Sequence, residues 1–160
     1  MKKYDVVFVL LDEVLITTLS GRQWPSGIWD FRINWALWNS LKLANPEMIV
    51  ILSNQGGITK GFLKDSSFYS KISFISHALS DFTGIKRIPF RYSIRGNWKL
   101  ELNIDNEADL VDSILEQYTK FSDKSKMIMI GRDLEFDKKY AESKNIEFLE
   151  KSEFVKLKNQ

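Results

Sequence analysis

The chain has 160 residues and a mass of 18.7 kDa, enough for one domain to bury a sizeable core without staples, and its 44% hydrophobic and 28% charged residues exclude disordered, collagen-like and coiled-coil chains. It has no cysteine and one histidine, His77, which removes disulfides, thiolate metal sites, cysteine nucleophiles and histidine-rich metal centres. With Lys+Arg 23 against Asp+Glu 21 the net charge is +2, too weak to point to nucleic acid or a membrane by itself.

Val6 to Leu11 is continuously apolar and β-branched at its start, as suits a strand buried on both faces of a parallel sheet, and it stops at Asp12-Glu13. It is too short for a signal segment or a membrane span, so a soluble, intracellular chain with no membrane partner is expected. Thr17 to Trp38 is interrupted by Gly21, Pro25 and Gly27 and reads as a hairpin flap followed by a first helix, with apolar spacing from Ile33 to Leu43. Met48 to Leu52 is a second buried strand, ending at Ser53-Asn54-Gln55-Gly56-Gly57. Phe68, Ile72, Ile75, Leu79 and Phe82 then recur at helical spacing. Ile85 to Ile94 reads as a further strand, placed near an edge by Ile88-Pro89. Leu110, Val111, Ile114, Leu115 and Tyr118 mark another helix, and Met127 to Ile130 a third buried strand ending at Gly131-Arg132-Asp133. Ile146 to Leu149 is a short last strand, and Lys151 to Gln160 a charged helix end or frayed terminus. Alternation of this kind predicts one α/β domain over residues 1–160, a doubly wound, mostly parallel sheet with helices on both faces. In such sheets the ligand crevice lies outside the carboxyl ends of the strands, so the loops at Asp12, Ser53 and Gly131 should converge on one site.

The residues of those loops carry a resemblance. Leu11 to Arg22, with Trp24-Pro25 and Asp30-Phe31-Arg32-Ile33, resembles the start of the 3′-phosphatase domain of the polynucleotide kinase-phosphatases, in the haloacid dehalogenase-like superfamily. Ser53 to Gly61 resembles the second motif of that family, and Asp137-Lys138-Lys139-Tyr140-Ala141 with Ile146, Phe148 and Phe154 is similar in spacing to its closing segment. The resemblance covers nearly the whole chain. It implies a Rossmann-type core without a large cap domain, and a reaction in which an aspartate attacks a phosphomonoester beside Mg²⁺ and water then hydrolyses the aspartyl-phosphate.

The same alignment exposes three departures. In the pattern Asp-x-Asp-Gly-Thr the second Asp is Asp12, while Leu10 stands at the nucleophile, Glu13 at the Gly and Val14 at the Thr. Tyr92 stands where a lysine should offset phosphate charge, with Arg91, Arg95 and Lys99 as nearby substitutes. Arg132 stands at a metal-binding carboxylate, leaving Asp133 and Asp137 as the candidate metal ligands. Leucine can neither attack phosphorus nor ligate a hard cation. The resemblance leaves a phosphate-binding side at Ser53, Asn54, Gln55 and Arg132, and a basic rim at Arg22, Lys60, Arg91 and Arg95.

Two functional readings follow. The first is an inactive pseudophosphatase that serves as a binding or structural module, with no cofactor, still able to hold phosphate or nucleic acid and expected to work with a protein partner or complex. The alternative is an active Mg²⁺-dependent polynucleotide 3′-phosphatase with Asp12 as nucleophile and Asp133 or Asp137 on the metal; an active small-molecule phosphatase of the same superfamily ranks third. Of the tryptophans, Trp35 and Trp38 lie at helical spacing with Leu41 and read as core, leaving Trp24 and Trp29 to the surface. His77 reads as a surface or core helix residue without a catalytic role.

Overall fold

A strand made only of apolar residues must be covered on both faces and paired on both edges, and β1 (Val6–Leu10) meets both conditions. The computed structural model describes residues 2–21, 27, 29–103 and 105–159. After β1 come β2 (Ile16–Thr17), β3 (Arg32–Ile33), α1 (Trp35–Ala44), β4 (Met48–Asn54), α2 (Gly56–Thr59) and α3 (Asp65–Thr83). Then follow β5 (Phe90–Ser93), β6 (Lys99–Asn103), β7 (Asn106–Asp109), α4 (Leu110–Gln117), β8 (Met127–Gly131), α5 (Phe136–Ser143), β9 (Glu147–Glu150) and α6 (Lys151–Lys158).

Five strands form a wholly parallel sheet in the order β5-β4-β1-β8-β9. Val6 is level with Met48 on one side and Met127 on the other, so the three strands expected to be buried are neighbours. The chain steps outward from β1 to β4 and β5, then crosses back to β8 and β9, which is the doubly wound pattern. Helices α1, α3 and α6 contact one another on one side. Helices α4 and α5 form a second group, tied together by Lys144 to Asp112 and by Tyr140 to Asp109. Nearly all residues of β1, β4 and β8 are buried, and Trp38, Phe68 and Phe154 bring large side chains from the helices into that core. Trp38 donates its indole N–H to the Leu15 carbonyl at 3.1 Å, which ties α1 to the loop after β1.

The expected flap exists as the antiparallel pair β2–β3, in which Ile16 faces Ile33. Its middle, with Arg22, Trp24 and Pro25, lies outside the described residues. Helix α3 stops at Gly84, whose φ of +78° gives the left-handed C-terminal turn, with its N–H bonded to the Ser80 carbonyl. Several expectations need correction. The edge strand begins at Phe90 rather than Ile85, because Pro89 precedes it without an N–H to donate. Trp35 is 57% exposed and packs its ring edge against Trp38 and Phe82 from outside, so only Trp38 of that pair is core. The terminal segment is a docked helix held by Phe154, and the β6–β7 hairpin was not foreseen at all. His77 is exposed, with Nδ1 against the Ser73 carbonyl. Among the described residues no helix is long and apolar enough to cross a membrane.

Because Phe154 is 1% exposed, Phe154→Ala should lower unfolding free energy by about 3–5 kcal/mol through lost burial and a residual cavity. Leu102→Ala on the exposed face of β6 should stay within about 0.5 kcal/mol, both read from urea denaturation midpoints.

Candidate functional site

Because β1, β4 and β8 run parallel in register, their carboxyl ends stop at one level and their loops surround a single crevice of about 220 Å³. Leu10 and Leu52 line it from the strand ends, with Asp12, Ser53, Asn54, Arg132, Asp133 and Asp137 from the loops, and Trp98 and Phe136 at the walls. Leu10 is 7% exposed. The loop after β1 turns through Glu13 at φ +60°, a left-handed conformation that a non-glycine residue adopts at a cost of about 1 kcal/mol. The turn is held by Leu15 N–H to the Leu10 carbonyl at 3.3 Å, Ile16 N–H to the Leu11 carbonyl at 3.2 Å, and the Lys151 ammonium on the Glu13 carbonyl.

Asp12 points to the β4 loop. Ser53 Oγ donates to its Oδ2 at 3.1 Å, and Gln55 Nε2 donates to the same oxygen and, at 2.8 Å, to Ser53 Oγ. The residue keeps open surface on its crevice side, yet protein packed around the carboxylate strips enough water to push its pKa above the usual value. The positive charge of Lys71 and the bonds from Ser53 and Gln55 oppose this shift without cancelling it. Lys71 is the charge acting on Asp12 that the sequence reading missed. It lies in the buried stripe of α3 at 3% exposure, four residues before Ile75, with its ammonium 5.9 Å from the centre of the Phe31 ring on the flap side. Burial lowers its pKa, and the charges of Asp12 and Asp30 work against that. The available signal was a lysine standing on an apolar helix face.

The β8 loop uses its carboxylates on itself. Asp137 Oδ2 accepts the N–H groups of Arg132 at 3.1 Å and Asp133 at 3.0 Å. Asp133 Oδ1 accepts those of Glu135 at 2.7 Å and Phe136 at 2.9 Å, and these backbone bonds hold its pKa below the usual carboxylate value. Gly131 is required by space: a Cβ there would lie 2.8 Å from the Phe148 ring and 2.9 Å from Asp137 Oδ2. Among the described residues no three His, Cys, Asp or Glu side chains converge as ligands. Leu10 brings no oxygen donor for a Mg²⁺ ion and Arg132 opposes one by charge, which leaves Asp12, Asp133 and Asp137 as the crevice carboxylates, each already accepting hydrogen bonds from a loop. The Arg132 guanidinium takes part in no ion pair within 4 Å among the described residues.

Trp98 forms the opposite wall. Its φ is +61°, its N–H donates to Asn54 Oδ1 at 3.0 Å, and its ring stacks on Tyr140 with centroids 3.9 Å apart and planes 11° apart. Asn54 therefore fixes the wall as well as lining the crevice. Tyr140 in turn donates to the buried Asp109 at 2.8 Å, and Lys144 pairs with Asp109 at 3.1 Å. The other candidates are spread more widely. Tyr92 and Arg91 face a separate groove at the sheet edge, Tyr92 donating to Asp65 and Arg91 to Gln117. Arg95 pairs with Glu101 at 3.0 Å, and Lys60 is exposed at the end of α2. Neither Lys60 nor Arg95 lines the crevice. Arg22 lies outside the described residues.

No family model and no curated protein sequence matches the chain. Solved structures do. The D,D-heptose 1,7-bisphosphate phosphatase from B. bronchiseptica, complexed with magnesium and phosphate, aligns with a TM-score of 0.56 at 16% identity, over 84% of this chain and 72% of that one. A protein from Mesorhizobium loti described as a HAD-like phosphatase aligns with a TM-score of 0.55 at 17% identity, over 84% of this chain and 66% of that one. At such identities the likeness shows the fold, which this chain shares with HAD-like phosphatases.

Removing the Lys71 charge takes away the largest influence that holds the Asp12 pKa down. Lys71→Met should therefore move the Asp12 carboxyl titration to higher pH, read by carboxyl-carbon NMR, with Asp133 unmoved as the internal control.

Proposed function

We propose that the chain is a phosphatase-like module, similar to the polynucleotide 3′-phosphatases, that binds an anionic group instead of hydrolysing it. The observation that carries this reading is Leu10 at the crevice floor, at the end of the central strand and two residues before Asp12. An attacking group at that point must bring a lone pair to phosphorus, and a leucine side chain has none. Charge stabilisation and positioning supply most of the acceleration in phosphoryl transfer, and Leu10 and Arg132 add neither a nucleophile nor an oxygen ligand for a metal that would supply it.

The remaining groups favour binding over turnover. Arg132 brings to the crevice a guanidinium without an ion-pair partner among the described residues, and its planar fork suits phosphate or carboxylate oxygens. Three carboxylates oppose it, but they are not equivalent. Asp133 and Asp137 each give an oxygen to backbone N–H groups of their own loop, and Asp12 accepts from Ser53 and Gln55. Asp12 is also the member whose pKa is raised, so its negative charge is the first to disappear as pH falls. An anion then meets one repulsive charge fewer. Supply of that anion by a protein partner or a nucleic-acid end fits this reading.

Phosphate release from a 3′-phosphorylated oligonucleotide with Mg²⁺ tests the reading. The chain and Asp12→Asn should both be inactive. Activity in the unaltered chain that vanishes in Asp12→Asn would overturn the proposal and establish Asp12 as the nucleophile of a rearranged site. Activity appearing in Leu10→Asp would show that the remaining loops still position phosphate.

Binding of inorganic phosphate, followed by amide shifts at Arg132 and Ser53, should weaken as pH rises through the raised Asp12 pKa. Arg132→Ala should weaken it by roughly tenfold, the loss of one charge-assisted hydrogen bond.

A further inference from the structure

Larger than the crevice is a groove of about 820 Å³ along the free edge of β5, between α3 and the β6–β7 hairpin. Three aromatic rings stand in it. Tyr69 is 55% exposed and meets Phe90 edge to face, with centroids 5.4 Å apart, while Tyr92 packs edge to face on buried Phe68 at 4.8 Å and offers its remaining surface to the groove.

The charges that face the groove come from every element around it. Asp65 stands in the first turn of α3, Arg91 on β5 and Glu101 on β6. Arg91 is occupied elsewhere, since its guanidinium donates to the Phe90 carbonyl at 2.9 Å and to Gln117 on α4. Glu101 is paired with the exposed Arg95. Asp65 accepts only the Tyr92 hydroxyl, at 2.5 Å, and takes part in no ion pair among the described residues. The groove therefore offers an unneutralised carboxylate beside aromatic faces, and both attract organic cations.

The backbone adds a direction. Pro89 and Ser93 give their carbonyls to Ile51 and Gln55 on the β4 side, so in the strand's alternation Phe90 and Tyr92 turn their N–H and C=O outward. Arg91 caps the Phe90 carbonyl, which leaves the main chain of Tyr92 as the open position of the edge. An open strand edge beside side-chain pockets receives an extended chain.

We propose that this groove binds an extended, lysine- or arginine-bearing segment of a partner protein, pairing its backbone with Tyr92 and setting its cationic side chain between Tyr69 and Asp65. The inference is independent of what the crevice does. Local charge complementarity selects this occupant: with Glu101 paired to Arg95 and Arg91 drawn to the Phe90 carbonyl and Gln117, Asp65 is the groove carboxylate outside any ion pair among the described residues, one helical turn before Tyr69.

The test is fluorescence anisotropy of a labelled, capped peptide of alternating valine and lysine, titrated with the full chain, beside a valine–glutamate peptide of the same length and N-acetyl-lysine amide as a competitor. The valine–lysine peptide should bind, more weakly as salt is raised, and should perturb the backbone amides of Phe90 and Tyr92. Asp65→Asn and Tyr69→Ala should each weaken it by on the order of threefold to tenfold, with unchanged unfolding midpoints because Asn keeps the acceptor for Tyr92 and Tyr69 is largely exposed. Equal binding of the glutamate peptide, unchanged affinity in both variants, or perturbations centred elsewhere would overturn the proposal. So would competition by N-acetyl-lysine amide at the peptide's own affinity, which would make the occupant a small cation. Self-association of the chain abolished by Asp65→Asn would make it a second copy and equally overturn it.

Discussion

The register of β1 between β4 and β8 is the constraint on which the rest of the molecule rests. A parallel strand in the middle of a sheet has its N–H and C=O groups satisfied on both edges, and here both faces are covered by apolar side chains. A slip of one residue would turn every buried side chain of β1 to the other face and move Leu10 away from Leu52. The same register decides what can meet in the crevice. Leu10 is level with Leu52, and Val9 with Ile130, so the residues just beyond them, Asp12, Ser53 and Arg132, can converge. Core packing and site geometry are thus one property of this chain.

That property was legible in the sequence because buried parallel strands are written as unbroken apolar runs. Val6 to Leu11, Met48 to Leu52 and Met127 to Ile130 have few alternative environments in a chain this size. The hairpin β6–β7 was not legible for the opposite reason. Lys99-Leu100-Glu101-Leu102-Asn103 alternates, but it is mostly solvent-facing, and its pairing depends on a partner strand that has equally little apolar content, Asn106 to Asp109. Trp35 was misread because helical spacing to Leu41 places two residues near one face without saying which of them the neighbouring helices cover. Of the crevice, the sequence pointed to Asp12, Ser53, Asn54 and Arg132 because each follows a buried strand. It did not point to Lys71, which enters from the middle of α3 and whose influence on Asp12 depends on helix packing. Tyr92 was assigned by spacing along the chain, whereas its strand position turns it to α3 and Asp65.

Electrostatics in the crevice follow from where each carboxylate finds its donors. Asp133 and Asp137 are served by backbone N–H groups of one tight loop, which stabilises their charge and fixes the loop at once. Asp12 is served by side chains of another loop and surrounded by more protein, so burial outweighs the bonds and raises its pKa. Asp12 and Asp133, each within a few residues of a strand end, are shifted in opposite directions by the same fold. Arg132 shares the crevice with them, its backbone N–H held by Asp137 and its side chain outside any ion pair among the described residues.

Strain gives a further reason to regard the crevice as built. Glu13 at φ +60° and Trp98 at φ +61° both occupy a region that disfavours side chains; Trp98 lines the site and Glu13 follows Asp12, which does. Such conformations persist only where surrounding contacts over-determine them. For Trp98 those contacts are Asn54 on its N–H, Leu110 on its carbonyl and Tyr140 against its ring, with Tyr140 anchored in turn by Asp109. For Glu13 they are the Lys151 ammonium and the two turns closed by Leu15 and Ile16. Core packing holds the strain at Trp98, which could not relax without giving up its stack on the core residue Tyr140, whereas hydrogen bonds hold it at the half-buried Glu13. Under the binding role proposed above, walls held this firmly around a leucine floor separate two requirements that an enzyme would combine: holding a ligand's shape and reacting with it.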